Sequence, residues 1–306
     1  MSRPRAAAVL TFLAATIVPI RAASGQDMEP RAYAASPVGV SFLAVIAGHS
    51  SGGVLVDQSL PVEDVRASVE SLGAGLGTVF DLFGHTALAV AAFPLAWVEA
   101  SGRVGEKTGE VSREGLADPR LKLSVNLLGG RALSAPEFAK AQRSTIVGVS
   151  LTALSPLGQY DRTKLINLGA NRWAFKPEVG VSRLIQRKWT IDGYAGVWLA
   201  TANDEFYPGD ARRTQRPIVA LQAHVSYTAR PGLWVAADGT WYSGGRTAVD
   251  GVEKRDLQRN SRLGATLSLP IARRQSLKVN GSVGATTRAG SDFRTIAVAW
   301  QMSWLH

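Results

Sequence analysis

Pro156–Arg183 reads PLGQYDRTKLINLGANRWAFKPEVGVSR. Its first half is a polar loop holding Gly158, Asp161, Asn167, Gly169 and Asn171, and its character changes at Trp173. From there Phe175, Pro177, Val179 and Val181 alternate with Ala174, Lys176, Glu178, Gly180 and Ser182. A period of two makes one face apolar and leaves two charges on the other, which is a strand pattern. A soluble sandwich turns such a charged face to bulk water. Repeated many times behind an export signal, the pattern predicts a closed wall with lipid on the apolar face and a polar interior.

Repeats of the pattern run along the whole chain. Strands are expected over Pro37–Ser50, Asp64–Phe80 and Thr86–Glu99, with apolar phases set by Leu121–Leu127, Val147–Leu151, Phe175–Val181 and Trp189–Leu199. Further phases follow at Val219–Tyr227, Leu233–Trp241, Leu263–Leu269, Leu277–Val283 and Ile296–Trp304. In the second strand Val65, Ala67 and Val69 set a phase that slips near Leu72–Ala74, where Gly73, Gly75 and Gly77 predict a bulge or bend. The third is nearly all apolar and its phase is open. The total is an antiparallel transmembrane β-barrel of about 12 strands, an even number.

Connections support the count. Those at 81–85, 186–188, 230–232 and 272–275 are short, whereas 102–115, 203–216 and 244–259 are long and charged. Short turns at one end and long loops at the other belong to this architecture. The connection 129–143, with a helical turn near Ala135–Ala141, is the exception. Aromatic placement agrees as well: Trp173 and Trp241 fall at the outer strand ends, and Trp189, Tyr227 and Trp304 at the inner ends, as two interfacial girdles.

The N-terminus explains how such a chain reaches an outer membrane. Arg3 and Arg5 precede an apolar run, Ala6–Ile20, followed by small residues at Ala23 and Gly25. This reads as a signal peptide, 1–25, leaving 26–306 as a single barrel domain. Its removal takes Arg3, Arg5 and Arg21 and lowers the net charge from +10 to +7. The chain has no cysteine, so disulfide and thiolate-metal chemistry are excluded. No later segment is a transmembrane helix; Ala87–Val98 is too short and carries Pro94. Basic residues are not interleaved with aromatics in blocks, so no nucleic acid partner is expected.

Gly158-Gln-Tyr-Asp161, Lys164, Asn167, Gly169, Asn171-Arg-Trp173 and Phe175-Lys-Pro-Glu178 resemble the characteristic segment of the outer-membrane proteins named for the meta-pathway of phenol degradation. Arg31-Ala-Tyr33, Pro37-Val-Gly39 and Leu116-Ala-Asp-Pro-Arg120 are also similar to theirs. The resemblance implies an outer-membrane β-barrel transporter. The chain departs from barrels of this kind at its end, Trp304-Leu-His306, where an aromatic usually closes the sequence.

The expected interior carries Lys122, Asn126, Lys176, Glu178, Asp192, Tyr194, Trp198, Gln222, His224, Trp234, Asp238, Tyr242, Lys278, Asn280 and Gln301. Mixed charge with Tyr and Trp suits passage of small aromatic, phenol-like or anionic solutes. It equally suits a lumen packed with paired charges, a non-conducting structural or sensory barrel. Gln159, Tyr160, Asp161, Lys164, Asn167, Asn171 and Arg172 form a loop that either folds inward as a constriction or is held by its own turn bonds. A lipid hydrolase would need His and Ser in contact; His49 and His224 are placed on the lumen phase, and His224 and Ser226 lie about 7 Å apart along one strand. No enzyme, metal or cofactor is expected. The expected partners are outer-membrane lipid and lipopolysaccharide, the barrel-assembly machinery and a small solute.

Overall fold

The computed structural model describes residues 28–55, 63–104, 107–142, 144–207 and 210–306; the signal reading at 1–25 lies outside them. In order, the chain forms β1 (Val40–Leu55), β2 (Glu63–Leu82), β3 (His85–Val104), β4 (Lys107–Leu116), β5 (Arg120–Leu128), α1 (Ala135–Lys140), β6 (Ile146–Leu154), β7 (Ala174–Ile185) and β8 (Trp189–Ala200). There follow β9 (Asn203–Phe206), β10 (Ala211–Gln215), β11 (Ile218–Arg230), β12 (Leu233–Gly244), β13 (Thr247–Val249) and β14 (Val252–Glu253). The last three are β15 (Gln258–Ala272), β16 (Gln275–Thr286) and β17 (Gly290–Leu305).

Each strand pairs antiparallel with its neighbours, and β1 closes on β17 from Val40 opposite Leu305 to Leu55 opposite Gly290. β3 pairs with β5 along its lower half, Ala87–Ala92, and with β4 along its upper half, Leu95–Val104. β4 and β5 therefore act as one strand interrupted at Ala117-Asp-Pro119, where Pro119 has no N–H to give a ladder. Counted so, twelve strands close into a barrel. β9, β10, β13 and β14 form a separate four-stranded sheet above the long-loop end.

Burial follows the alternation. On β7, Lys176, Glu178 and Ser182 are buried while Val179 and Val181 are exposed. The same holds for Lys122, Ser124 and Asn126 against Leu121, Leu123 and Leu127 on β5. Leu151, Ile191, Val225, Val235, Leu263, Ile296 and Val298 extend this exposed apolar belt around the wall. Leaving such a side chain in water forgoes about 1.5–3 kcal/mol, so the belt is stable only against lipid. This is an outer-membrane β-barrel. Among the described residues no helix is long and apolar enough to cross a membrane; the crossing is made by strands.

Several expectations need correcting. No bulge interrupts β2 near Leu72: its register with β1 is continuous from Ser41 opposite Thr78 to Gly53 opposite Arg66. The apolar residues change face because the surroundings change. Leu72 and Leu76 face lipid, whereas higher up Val69 faces inward and packs beneath Leu168. β3 is phased by Phe93, Leu95 and Trp97, which face out. The segment expected as a charged loop, 102–115, is instead the top of the β3–β4 hairpin, and the loops 203–216 and 244–259 contain the small outer sheet. First-strand pairing begins at Val40, and Val40, Phe42, Ala44 and Ile46 turn inward. Their inward phase puts His49 on the outer face, where it pairs with Glu70 at 2.5 Å; the lumen placement of His49 is wrong.

The long short-turn connection also gains a reason. Thr86 N–H donates to Gly130 O, Ala132 N–H to Gly84 O, and Val38 N–H to Leu133 O, each at 2.9 Å. That connection, with α1 in it, is a floor that ties the β2–β3 turn to the chain entering β1.

Candidate functional site

Before it becomes β1, the chain runs inside the barrel. Met28, Glu29, Arg31, Ala32 and Tyr33 are all buried. Arg31 takes the left-handed backbone (φ 64°), and its side chain reaches Ser226 Oγ at 2.8 Å and Thr228 Oγ1 at 2.7 Å on β11. Its guanidinium also lies 4.5 Å over the Trp234 ring on β12. Tyr33 points across the lumen: its hydroxyl stands 3.0 Å from Ser150 Oγ on β6 and donates to Glu178 Oε1 on β7 at 3.2 Å. Residues 28–36 thus strap the interior from one wall to the other.

The strap is held by side chains rather than by a ladder. Glu29 N–H donates to Gln222 Oε1 at 3.2 Å, Arg31 N–H to Asp192 Oδ2 at 3.2 Å, and Ala32 N–H to Tyr194 Oη at 3.0 Å. Glu29 carries the main charge contact, a hydrogen-bonded ion pair with Lys122, and Arg120 Nη1 lies 3.7 Å from its other oxygen. Lys176 pairs with Glu178 at 2.9 Å, both fully buried. Charges so deeply desolvated persist only where each has a partner; removing one partner of such a pair costs about 3–5 kcal/mol.

A second polar chain lies beside the strap. His224 Nδ1 is 2.7 Å from Asp238 Oδ1, Thr266 donates to Asp238 Oδ2 at 2.7 Å, and Asn280 donates to Thr266 at 3.0 Å. Both nitrogens of His224 are engaged, the second with Gln222 at 3.3 Å. Ser226 receives Arg31 instead of meeting His224, so the hydrolase pairing weighed from the sequence does not form.

Above the strap the loop 156–172 folds inward. Leu168 packs with Ala96, Ala117, Val69 and Val98 on the inner wall. Asp118, at the β4–β5 interruption, fastens the loop at both ends, accepting Gly158 N–H at 3.0 Å and Ala170 N–H at 2.8 Å. Burial lifts the Asp118 carboxyl above its ordinary range, against the pull of the two amides and Arg172. Within the loop, Asp161 N–H donates to Asn167 Oδ1, Asn167 gives its amide to the Asp161 and Lys164 carbonyls, and Lys164 pairs with Asp161 at 3.2 Å. Asn203 joins Tyr160, Ala170 and Asn171 to the outer sheet. The loop is both inward and internally bonded.

The structure therefore gathers Lys122, Lys176, Glu178, Asp192, Tyr194, Gln222 and Trp234 around the strap; the Asn126 amide points at the Tyr33 carbonyl at 3.4 Å. Lys278 Nζ lies 5.6 Å from the centroid of the Trp234 ring, and Gln301 is buried on β17. Trp198 and Tyr242 join an apolar cluster with Leu154 and Ile218, and Lys176 Nζ lies 5.5 Å over the Trp198 ring. Trp173, Trp189 and Trp241 are exposed on the outer wall, and Trp189 packs on Tyr227 with ring centroids 4.9 Å apart. Trp304 donates to His306, whose backbone N–H bonds Gly39 O, so the terminal residue is tied to the start of β1.

Sequence reasoning did not find Met28, Glu29, Arg31 or Tyr33 as lumen residues. The available signal was a pair of inward-facing glycines. Gly148 and Gly180 stand opposite each other on β6 and β7, and a Cβ on them would come within 2.4 Å and 2.1 Å of the Tyr33 ring. Gly264 makes the same room for Met28.

A closed, apolar-belted barrel with a strapped polar lumen defines the class as an outer-membrane β-barrel. The chain belongs to the family described as "Putative MetA-pathway of phenol degradation", whose sequence model matches residues 47–302. An outer membrane channel from Pseudomonas putida F1 shares the fold with a TM-score of 0.78 at 21% identity, covering 90% of this chain and 99% of that one. The β domain of the Bordetella autotransporter BrkA gives 0.52 at 12% identity over 87% and 100% of the two chains. The transport unit of the Escherichia coli autotransporter AIDA-I gives 0.50 at 8% identity over the full length of both. No curated protein sequence matches the chain.

Proposed function

We propose that the protein is an outer-membrane channel for small aromatic or anionic solutes, with the N-terminal strap as its plug. The observation that carries this is the way the strap is held. Its buried backbone amides donate to Gln222, Asp192 and Tyr194 side chains. A segment bonded through side chains can leave without breaking the barrel's ladders. The surfaces it would uncover combine aromatic rings with fixed charges, a lining suited to a phenol-like ring or a carboxylate.

Family membership and the fold shared with an outer membrane channel support the reading. It assigns no catalysis to the chain. It also has residues 1–25 removed as a signal, the barrel-assembly machinery inserting the product, and lipid and lipopolysaccharide bathing the belt. The test is conductance of the refolded protein in a planar bilayer. Discrete openings that phenol or benzoate blocks and a neutral sugar does not are expected. A folded barrel that never conducts would make it a structural barrel instead.

A further inference from the structure

At the long-loop end Arg172 bonds Gln215 on β10, two residues along that strand from Arg213, which brings the two arginines into electrostatic reach of each other. Arg172, in the loop ahead of β7, is 8% exposed, gives Nη2 to Gln215 Oε1 at 2.5 Å and leaves Nη1 without an acceptor. Arg213 on β10 lies 5.0 Å over the Phe206 ring. Burial first, and Arg213 second, pull the Arg172 guanidinium down to about 10, and burial lowers Arg213 as well. Asp118 acts in the opposite sense on Arg172, and Asp256 and Tyr160 on Arg213, but both carboxylates are already hydrogen-bonded: Asp118 by two loop amides, Asp256 by the Thr247 amide and hydroxyl.

An apolar shelf adjoins this pair. Ala174, two residues past Arg172, packs against the cluster of Leu154, Trp198, Ile218 and Tyr242. Trp198 has its own donor, Nε1, buried without an acceptor. Buried donors are nearly always satisfied, and leaving them unmade is costly. Lys176 Nζ lies 5.5 Å over the Trp198 ring, so the shelf as well as the arginine pair carries positive charge.

We propose that Arg172 and Arg213 bind the carboxylate of a small ring-bearing acid, whose ring lies on the Trp198 shelf. Guanidinium forks match a planar carboxylate and neutralise it where water is excluded. Aromatic and aliphatic neighbours then select an acid with a ring over a simple anion. Because Arg172 Nη1 is sealed from solvent, the acid enters by lifting the loop that carries Arg172. The site rests on the channel reading for its solute class and names the end at which that solute is first held.

Calorimetry on the refolded full chain in detergent, with benzoate, acetate, benzyl alcohol and inorganic phosphate as probes, tests this. Benzoate is expected to bind, with acetate, benzyl alcohol and phosphate each weaker by about tenfold or more. Arg172→Gln and Arg213→Gln should each weaken benzoate by about tenfold, whereas Arg216→Gln, an exposed residue paired with Glu253, should not. Equal benzoate affinity in the wild type and both variants would overturn the proposal, as would an equal loss at Arg216 or acetate binding as tightly as benzoate. If Arg172→Gln fails to fold, Arg213→Gln, on the outer sheet, decides alone. The two readings fail separately: benzoate binding in a barrel that never conducts sinks the channel and keeps the site. Openings blocked by benzoate equally in wild type and Arg172→Gln keep the channel and sink the site.

Discussion

The ring of Tyr33 lies where a side chain on Gly180 would be: a Cβ built on that glycine falls 2.1 Å from Tyr33 Cε2. Strap and wall are therefore cut to fit each other at one residue. Gly180→Ala should push the ring out, at an overpacking cost of about 1–3 kcal/mol. Hydrogen exchange at residues 28–36 should speed up while the strand amides stay protected. The Tyr33→Ala, Gly180→Ala double variant should lose less than the sum of the singles, because the clash has gone.

Glu29 is the charge that fastens the strap to the wall. Glu29→Gln leaves Lys122 without its carboxylate, which should cost about 3–5 kcal/mol of strap docking. The exchange experiment should show the strap amides far more open than in Gly180→Ala. Unchanged protection would mean that Gln222 and Asp192 suffice to hold the segment.

Docking of the inward loop should depend on pH through Asp118. Its folded pKa is raised above the ordinary value of 3.8 by burial, so docking takes up a proton between 3.8 and the raised value. The docked loop binds more protons than the undocked one in that window. Docking is accordingly strongest on the acid side and weakens as pH rises through it. A fluorophore on a cysteine placed at Leu165, in a chain with none of its own, should report a looser loop at neutral pH than at pH near 3.8. Asp118→Asn should flatten that dependence.

Val179 faces lipid in the middle of β7. Val179→Arg should destabilise the folded barrel by about 2–4 kcal/mol in vesicle refolding titrations. A cost near zero would place this part of the wall outside the bilayer.

Much of the wall was legible in the sequence because each barrel strand from β5 onward has lipid on one side and polar groups on the other. Leu121, Val149, Val179 and Ile296 keep one environment along their strands, so a period of two reports the face directly. β2 was misread because its apolar residues serve two faces: Val69 turns inward beneath Leu168, while Leu72 faces lipid. The β3–β4 hairpin was misread because Glu110, Arg113 and Glu114 break any apolar alternation along β4. The strap has no periodicity at all. A short run such as Met28–Ala35 becomes legible only through its partners, Gly148 and Gly180, whose missing side chains the ring of Tyr33 replaces. Arg213 belongs to no repeated pattern, and only folding brings it to Arg172.

The most direct test of the strap as a plug is single-channel conductance of three refolded proteins: wild type, Glu29→Lys, and Glu29→Lys with Lys122→Glu. Charge reversal at Glu29 sets it against Lys122, Arg120 and Lys176, and the double variant restores one pair. A mostly closed wild type, a persistently open Glu29→Lys barrel, and substantial return to closure in the double variant are expected. Three indistinguishable traces from folded barrels would contradict a plug, since the lumen would then conduct, or fail to conduct, whatever the strap does.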